Sequence, residues 1–148
     1  MCEREMYYKR ITSTNDADIP YLTFILKSPE ISRYISIAEN SYWEYVTTQE
    51  QVYYFKVYRN DALIGAIHCE IENLILYMDI MVFPKYQRQG IATAIMEDIL
   101  QGNLSLEFDT MEVFVDESNA ASKKLFEKIG FTPISCEDEL IHYTYTLR

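Results

Sequence analysis

Strict alternation of apolar and polar residues is clearest at the end of the chain, where Ile141, Tyr143, Tyr145 and Leu147 interleave with His142, Thr144 and Thr146. A period of two sends successive side chains to opposite faces, which predicts a terminal strand. Val52 to Arg59 is rich in Val, Tyr and Phe; Asn60-Asp61 then supplies a turn, followed by Leu63 to Glu72, a break at Asn73, and Leu76 to Phe83. These segments predict a three-strand antiparallel meander. Met6 to Thr12 and Thr110 to Val115 read as two further strands.

Between them the apolar period lengthens to that of a helix. Ile19, Leu22, Ile25 and Leu26 share one face over Asp18 to Lys27, after the caps offered by Ser13 to Asp16 and before Pro29, and a second helix is expected at Ile31 to Ile37. Ile91, Ile95 and Ile99, with Ala92 and Met96 beside them, predict an amphipathic helix ending near Gly102, and Ala120 to Ile129 another, stopped by Gly130. Ala38 to Glu50, with Tyr42, Trp43 and Tyr45, is compatible with either an extended helix or an aromatic loop. Helices interspersed among mostly antiparallel strands define a mixed α/β fold with one central sheet. No repeat, low-complexity tract or linker divides the 148 residues, so residues 1–148 are expected to form a single domain.

Composition is that of a folding chain, 49% hydrophobic and 24% charged. The charge balance bears on partners: 13 Lys plus Arg against 23 Asp plus Glu leave a formal charge of −10, which repels phosphate polymers and attracts cationic molecules. A nucleic-acid coat protein is therefore not expected. No apolar run approaches the roughly 20 residues of a membrane-spanning helix, and Met1 to Asn15 lacks a signal-peptide core, so the expected location is the cytoplasm, off the membrane. Cys2, Cys69 and Cys136 are odd in number and widely spaced, which fits reduced thiols. His68, Cys69, Cys136 and His142 lack any close ligand pair to anchor zinc, and no metal is assigned. With two histidines and no G-x-S-x-G, a hydrolase triad has no support either.

The most informative stretch is Val82 to Thr93, where a strand passes through Phe83-Pro84-Lys85-Tyr86 into Gln87-Arg88-Gln89-Gly90-Ile91-Ala92-Thr93 and on into the periodic helix. A strand, a tight turn and a helix N-terminus together make a phosphate-binding geometry, because unpaired N–H groups converge there and small residues at 90 and 92 let a diphosphate approach the backbone. Lys85 and Arg88 occur here with no acid, a local reversal of the global sign. The four glycines cannot compose G-x-G-x-x-G or a Walker loop, so a Rossmann or P-loop ligand is excluded at the level of motif.

Q-R-Q-G-I-A at 87–92 resembles the [QR]-x-x-G-x-[GA] signature of the GNAT superfamily of N-acetyltransferases. Asn119-Ala120-Ala121-Ser122-Lys123-Lys124-Leu125-Phe126-Glu127-Lys128-Ile129-Gly130-Phe131 is similar to that family's second motif, N-x-x-[AS]-x-x-[LF]-[YF]-x-x-x-G-F. Motif matching runs from about Asp79 to Phe131; before that the resemblance is one of layout. It implies a GNAT-like fold, a twisted, mostly antiparallel central sheet flanked by about four helices, with acetyl-CoA as co-substrate. It further implies that backbone groups of Ile80, Met81 and Val82 pair with the pantetheine arm. Gln87, Arg88, Gln89, Gly90, Ile91, Ala92 and Thr93 would hold the pyrophosphate. Asn119, Ser122 and Phe126 would approach the arm or line its channel, and Asn119 is equally suited to capping its helix.

Acetyl transfer to an amine needs a neutral amine, a stabilised oxyanion and a proton for the leaving thiolate. Asp79, mid-strand where relatives frequently carry an acid, is the candidate base, with burial expected to raise its pKa; a strand-surface Asp is an equally good reading of the position. Glu70 and Glu72 are weaker candidates of the same kind. The backbone N–H of Val82, or of Met81 beside it, is the candidate oxyanion donor. Phe126 departs from the pattern, since many relatives carry a Tyr there as general acid; Tyr86, Tyr143 and Tyr145 are conceivable replacements. Two readings follow: an acetyl-CoA-dependent N-acetyltransferase acting by direct attack of a primary amine (a small amine, an aminoglycoside-like polycation or a protein N-terminus), or a non-catalytic acyl-CoA-binding module. A homodimer through the Tyr-rich terminal strand fits either.

Overall fold

The computed structural model describes residues 6–29 and 40–147, and the helix expected at Ile31 to Ile37 lies outside them. The elements are β1 (Met6–Arg10), α1 (Ile19–Leu26), α2 (Asn40–Thr48), β2 (Val52–Arg59), β3 (Ala62–Glu72), β4 (Ile75–Val82), a 3-10 turn at Pro84–Tyr86, α3 (Ile91–Leu100), β5 (Thr110–Asp116), α4 (Ala120–Ile129), β6 (Thr132–Glu137) and β7 (Leu140–Thr146). The strands form one sheet in the order β1-β2-β3-β4-β5-β7-β6. β1 pairs antiparallel with β2, as do β5 and β6 with β7, while β4 and β5 run parallel over Ile75–Tyr77 and Thr110–Glu112. The mixed α/β architecture with a mostly antiparallel sheet, and four α-helices among the described residues, is the one expected.

Three hairpins turn through pairs of residues at positive φ: Asn60-Asp61 (51° and 70°), Asn73-Leu74 (55° and 63°) and Asp138-Glu139 (52° and 68°). Such turns match the right-handed twist of the flanking strands, and Asn and Asp tolerate them readily. Leu74 does not tolerate positive φ by nature. Its carbonyl accepts from the amides of Asp109 (2.7 Å) and Thr110 (3.3 Å), which hold the turn in place.

One segment that the sequence leaves open and one strand that it does not announce have physical causes. The segment around Tyr42 and Trp43 is helical, because Trp43 and Val46 recur on one face and bury it. The chain also carries a strand, β6, that its pattern does not announce. All six residues of β6 are exposed, Pro133 removes one backbone donor, and the pairing with β7 slips between Pro133 and Ser135. An edge strand with no buried face leaves no period-two signature.

The chain divides into two compact units, one made of residues 1–69 and 79–91, the other of residues 70–78 and 92–148. The first has a core of Ile11, Leu22, Ile25, Leu26, Trp43, Val46, Val52, Tyr54, Ala66, Met81 and Phe83. The N-terminal end of α1 is tied to β2 by charge: buried Lys56 lies 2.9 Å from Asp18 and 3.0 Å from Asp16, and Tyr58 donates to Asp18 at 2.9 Å. In the second unit Val113 and Val115 on β5, Phe126 on α4, Phe131 just after that helix and Tyr143 on β7 are buried.

Candidate functional site

In the first unit the end of β4 is anchored before it turns. The Phe83 amide donates to the Ile64 carbonyl at 2.9 Å, and the Phe83 ring is buried edge-on to Tyr21 with centroids 5.6 Å apart. Pro84 opens the 3-10 turn, which closes through Tyr86 N–H to Phe83 O (2.8 Å) and Gln87 N–H to Pro84 O (3.3 Å). Gln87 Nε2 then donates back to the Val82 carbonyl at 2.9 Å. Arg88 (φ 66°) and Gly90 (φ 76°) reverse the chain into α3. Only glycine takes such a φ without strain, and a Cβ built on Gly90 would meet nothing within 4 Å. The backbone here is bare and open.

The first turn of an α-helix leaves its amides without intrahelical acceptors, and in α3 these belong to Ile91, Ala92 and Thr93. Residues 87–90 are exposed. Arg59 donates to Gln89 Oε1 at 2.9 Å, and the Arg59 and Lys85 cations stand over the Tyr86 ring at 5.9 and 5.6 Å. A turn with bare backbone, amide donors, three basic side chains and no carboxylate between residues 85 and 93 is chemically suited to a diphosphate.

In the second unit Asn119 is the N-cap of α4, its side-chain oxygen accepting from the Ser122 amide at 3.2 Å. Gly130 ends the helix at φ 120°. Phe126 is buried, edge-on to Phe131 at 5.1 Å and 6.5 Å from Tyr143.

The acetyltransferase (GNAT) domain model matches residues 26–145. The chain belongs to the GNAT acetyltransferase family. No curated protein matches it in sequence. Among solved structures, a domain from Methanocaldococcus jannaschii is similar with a TM-score of 0.81 at 16% identity, over 98% of this chain and 100% of that one. The N-acetyltransferase PseH of Campylobacter jejuni in complex with acetyl coenzyme A gives 0.78 at 19% identity, over 97% and 100%. The spermidine N-acetyltransferase of Vibrio cholerae in complex with CoA and spermine gives 0.81 at 15%, over 96% and 95%. At such identities the likeness is one of fold.

Several sequence expectations for this GNAT domain change in the structure. Asp79 is exposed on β4, where burial was expected. It lies close enough to Tyr54 and Cys69 for its charge to add to burial in raising both their pKa values. Tyr143 is fully buried, with its hydroxyl donating to Glu127 Oε2 at 2.7 Å. Burial and that carboxylate push its pKa up to about 12, which suits a core hydrogen bond and not a proton donor. Among the described residues no group of three or more His, Cys, Asp or Glu could hold a metal ion, Cys69 and Cys136 are free thiols, and no helix is long and apolar enough to cross a membrane.

One pairing escaped sequence reasoning. Tyr42 on α2 and His68 on β3 share a hydrogen bond, Oη to Nδ1, 26 residues apart in sequence. An ordinary core histidine is what His68 alone suggests. The signal that could have found the pair was the aromatic run around Tyr42, once that run is placed on a helix facing β3.

Proposed function

We propose that this GNAT domain transfers the acetyl group of acetyl-CoA to a primary amine by direct attack, with no covalent enzyme intermediate. The observation that carries the reading is the turn from β4 into α3 in a chain of this family, with its bare Gly90, its amide donors and its basic side chains. Gln87, Arg88, Gln89, Gly90, Ile91, Ala92 and Thr93 hold the pyrophosphate, and Ile80, Met81 and Val82 offer backbone groups to the pantetheine arm. The Val82 N–H stabilises the oxyanion. The acceptor is a cationic amine, for which the −10 net charge and the exposed carboxylate of Asp79 provide attraction. The spermine held by the Vibrio cholerae neighbour supports a polyamine-like acceptor over a neutral one.

In the reaction the ammonium gives up one proton, the amine nitrogen bonds to the thioester carbon and loses a second proton, the carbon–sulfur bond breaks, and the thiolate leaves to take up one proton, so that one proton is released overall. Phe126 cannot protonate the thiolate. A thiol with a pKa near 8.5 leaves tolerably without a dedicated acid, so the missing hydroxyl slows the enzyme without abolishing turnover.

The test is acetyl-CoA titration by calorimetry on wild type and Gly90→Glu, with free-thiol release followed against a panel of amines that includes spermine. Binding that is lost in the variant, with thiol release for one amine, is the expected result. Binding without release on any amine would replace the enzyme by an acyl-CoA-binding module, the reading that Phe126 favours, and no wild-type binding would overturn both.

A further inference from the structure

Arg59 reaches the turn between β4 and α3 from a strand 30 residues away in sequence. It is the last residue of β2, and the turn at Asn60-Asp61, both at positive φ, returns the chain at once into β3. Ile64, early in β3, accepts from the Phe83 amide at 2.9 Å, so the hairpin delivers Arg59 beside the residues that follow β4. There its Nη2 donates to Gln89 Oε1 at 2.9 Å. Its guanidinium carbon stands 5.9 Å from the centre of the Tyr86 ring, and Lys85 Nζ lies over the same ring at 5.6 Å. All these residues belong to the first compact unit.

None of these contacts neutralises the charge. Gln89 is an uncharged acceptor, and an aromatic face offers only its quadrupole. Among the described residues no Asp or Glu forms an ion pair with Arg59, Lys85 or Arg88. The acid nearest to Arg59 in sequence, Asp61, accepts instead from the Tyr7 hydroxyl at 2.8 Å. Lys56, three residues earlier on the same strand, shows the contrast, since it lies between the carboxylates of Asp16 and Asp18. A chain of net charge −10 thus gathers three cations at one turn and gives them no carboxylate. Like charges so gathered repel one another, a cost that an anion among them reverses.

A guanidinium carries five N–H groups in a planar fork that matches the oxygens of a phosphate, and the bond to Gln89 uses one of them. We propose that Arg59, held in place by Gln89 and Tyr86, pairs with a phosphate of acetyl-CoA and so extends the coenzyme site onto the β2–β3 hairpin. This deepens the coenzyme reading of the turn and rests on it. Arg59 lies outside Q-R-Q-G-I-A, whose contribution is bare backbone and amide donors; what Arg59 adds is a fixed charge with directional donors. Acetyl-CoA offers two sources of the anion, its pyrophosphate and the 3′-phosphate of its ribose. Lys85, over the same ring, adds charge without the fork.

The assignment is tested on wild type and Arg59→Gln by calorimetric titration with acetyl-CoA, 31P NMR of the bound coenzyme and a thermal melt. Affinity is expected to fall about 10-fold, the weight of one charge-assisted hydrogen bond, with the melting temperature unchanged. The 31P spectrum separates the 3′-phosphate from the pyrophosphate, and the signal displaced by the substitution names the partner. Titration with 3′-dephospho-CoA is the second arm: a loss that vanishes with this ligand assigns the 3′-phosphate, and a loss that persists, with the pyrophosphate signals displaced, assigns the pyrophosphate. A loss of affinity that displaces no phosphorus signal would mean that Arg59 only steadies Gln89, and equal affinities would mean that it meets no phosphate; either result overturns the proposal and leaves the coenzyme site standing. Should Arg59→Gln melt early, Arg59→Lys, which keeps the charge and loses the fork, carries the same comparison. Absence of acetyl-CoA binding in the wild type would instead remove the coenzyme site, and this role with it.

Discussion

Gln87 donates from Nε2 to the carbonyl of Val82 at 2.9 Å, so the first residue of the phosphate-binding signature staples the turn to the strand it leaves. The bond is exposed, and its energetic weight in stability is correspondingly small. Its consequence lies in order: with the staple in place, the amides beyond Gly90 are presented in one geometry before any ligand arrives.

Replacing Gln87 by Ala is expected to weaken acetyl-CoA binding about 3- to 10-fold, the equivalent of roughly one hydrogen bond, while leaving the melting temperature almost unchanged. Calorimetric titration beside a thermal melt makes the separation. A variant that melts early and binds normally would assign Gln87 to the fold and not to the site.

Gly65 carries a sharper structural demand. A Cβ at this position would stand 2.4 Å from the Met81 carbonyl oxygen and 3.4 Å from the Val82 Cα, and both obstacles are backbone. Strands β3 and β4 must separate to admit even Ala. Gly65→Ala is expected to cost about 1–3 kcal/mol, or roughly 5–10 °C in melting temperature for a chain of this size, and to impair turnover beyond that loss because Val82 moves. Denaturant titration and steady-state rates on the variant give the two numbers. An unchanged midpoint would show that the strands yield freely here.

Much of this was legible from the order of residues. Ile91, Ile95 and Ile99 announce α3, and all three are buried. Ile141, Tyr143 and Tyr145 alternate through β7 as the pattern requires, with Tyr143 fully buried. Gln87 to Thr93 spells out its turn because the constraint is local: positive φ needs Gly90, and the helix start follows at once. β6 was illegible because an exposed edge has no buried face to enforce alternation. His68 was illegible for the opposite reason. Its partner, Tyr42, is 26 residues distant and reaches it only because α2 packs on β2, a tertiary fact with no local signature.

The cluster at the start of α1 makes stability depend on pH in a definite direction. Hydrogen bonding from Lys56, aided by Tyr58, holds Asp18 below the ordinary carboxylate value against the opposing effect of burial. Burial pulls Lys56 down, yet its bonds to Asp18, Asp16 and Tyr58 outweigh that and raise it. A depressed carboxylate contributes stability that is present above its unfolded pKa and lost as pH falls through the folded one; a raised lysine contributes stability present below its unfolded pKa and lost only in strong alkali. Denaturant midpoints are therefore expected to stay flat from about pH 5 to pH 9 as far as this cluster is concerned, and to drop below about pH 4. Lys56→Met, which strands two carboxylates, is expected to cost about 2–3 kcal/mol at pH 7 and much less at pH 3. A penalty independent of pH would mean that Lys56 acts through packing of its alkyl stem.

Tyr143 offers the remaining discrimination, because in sequence it could have replaced the hydroxyl that Phe126 lacks. Its oxygen is committed to Glu127 at 2.7 Å, the ring is fully buried, and a pKa near 12 would make proton transfer to a thiolate near 8.5 uphill. Tyr143→Phe is accordingly expected to lower stability by about 1 kcal/mol, the weight of one hydrogen bond, and to leave kcat and its pH profile within twofold of wild type. The basic limb of the profile is the decisive observable. If it shifts or vanishes in the variant, Tyr143 is the proton donor and the thiolate does not depart unaided; if only the melting temperature moves, the leaving group needs no acid from this hydroxyl, as the poor match between the two pKa values requires.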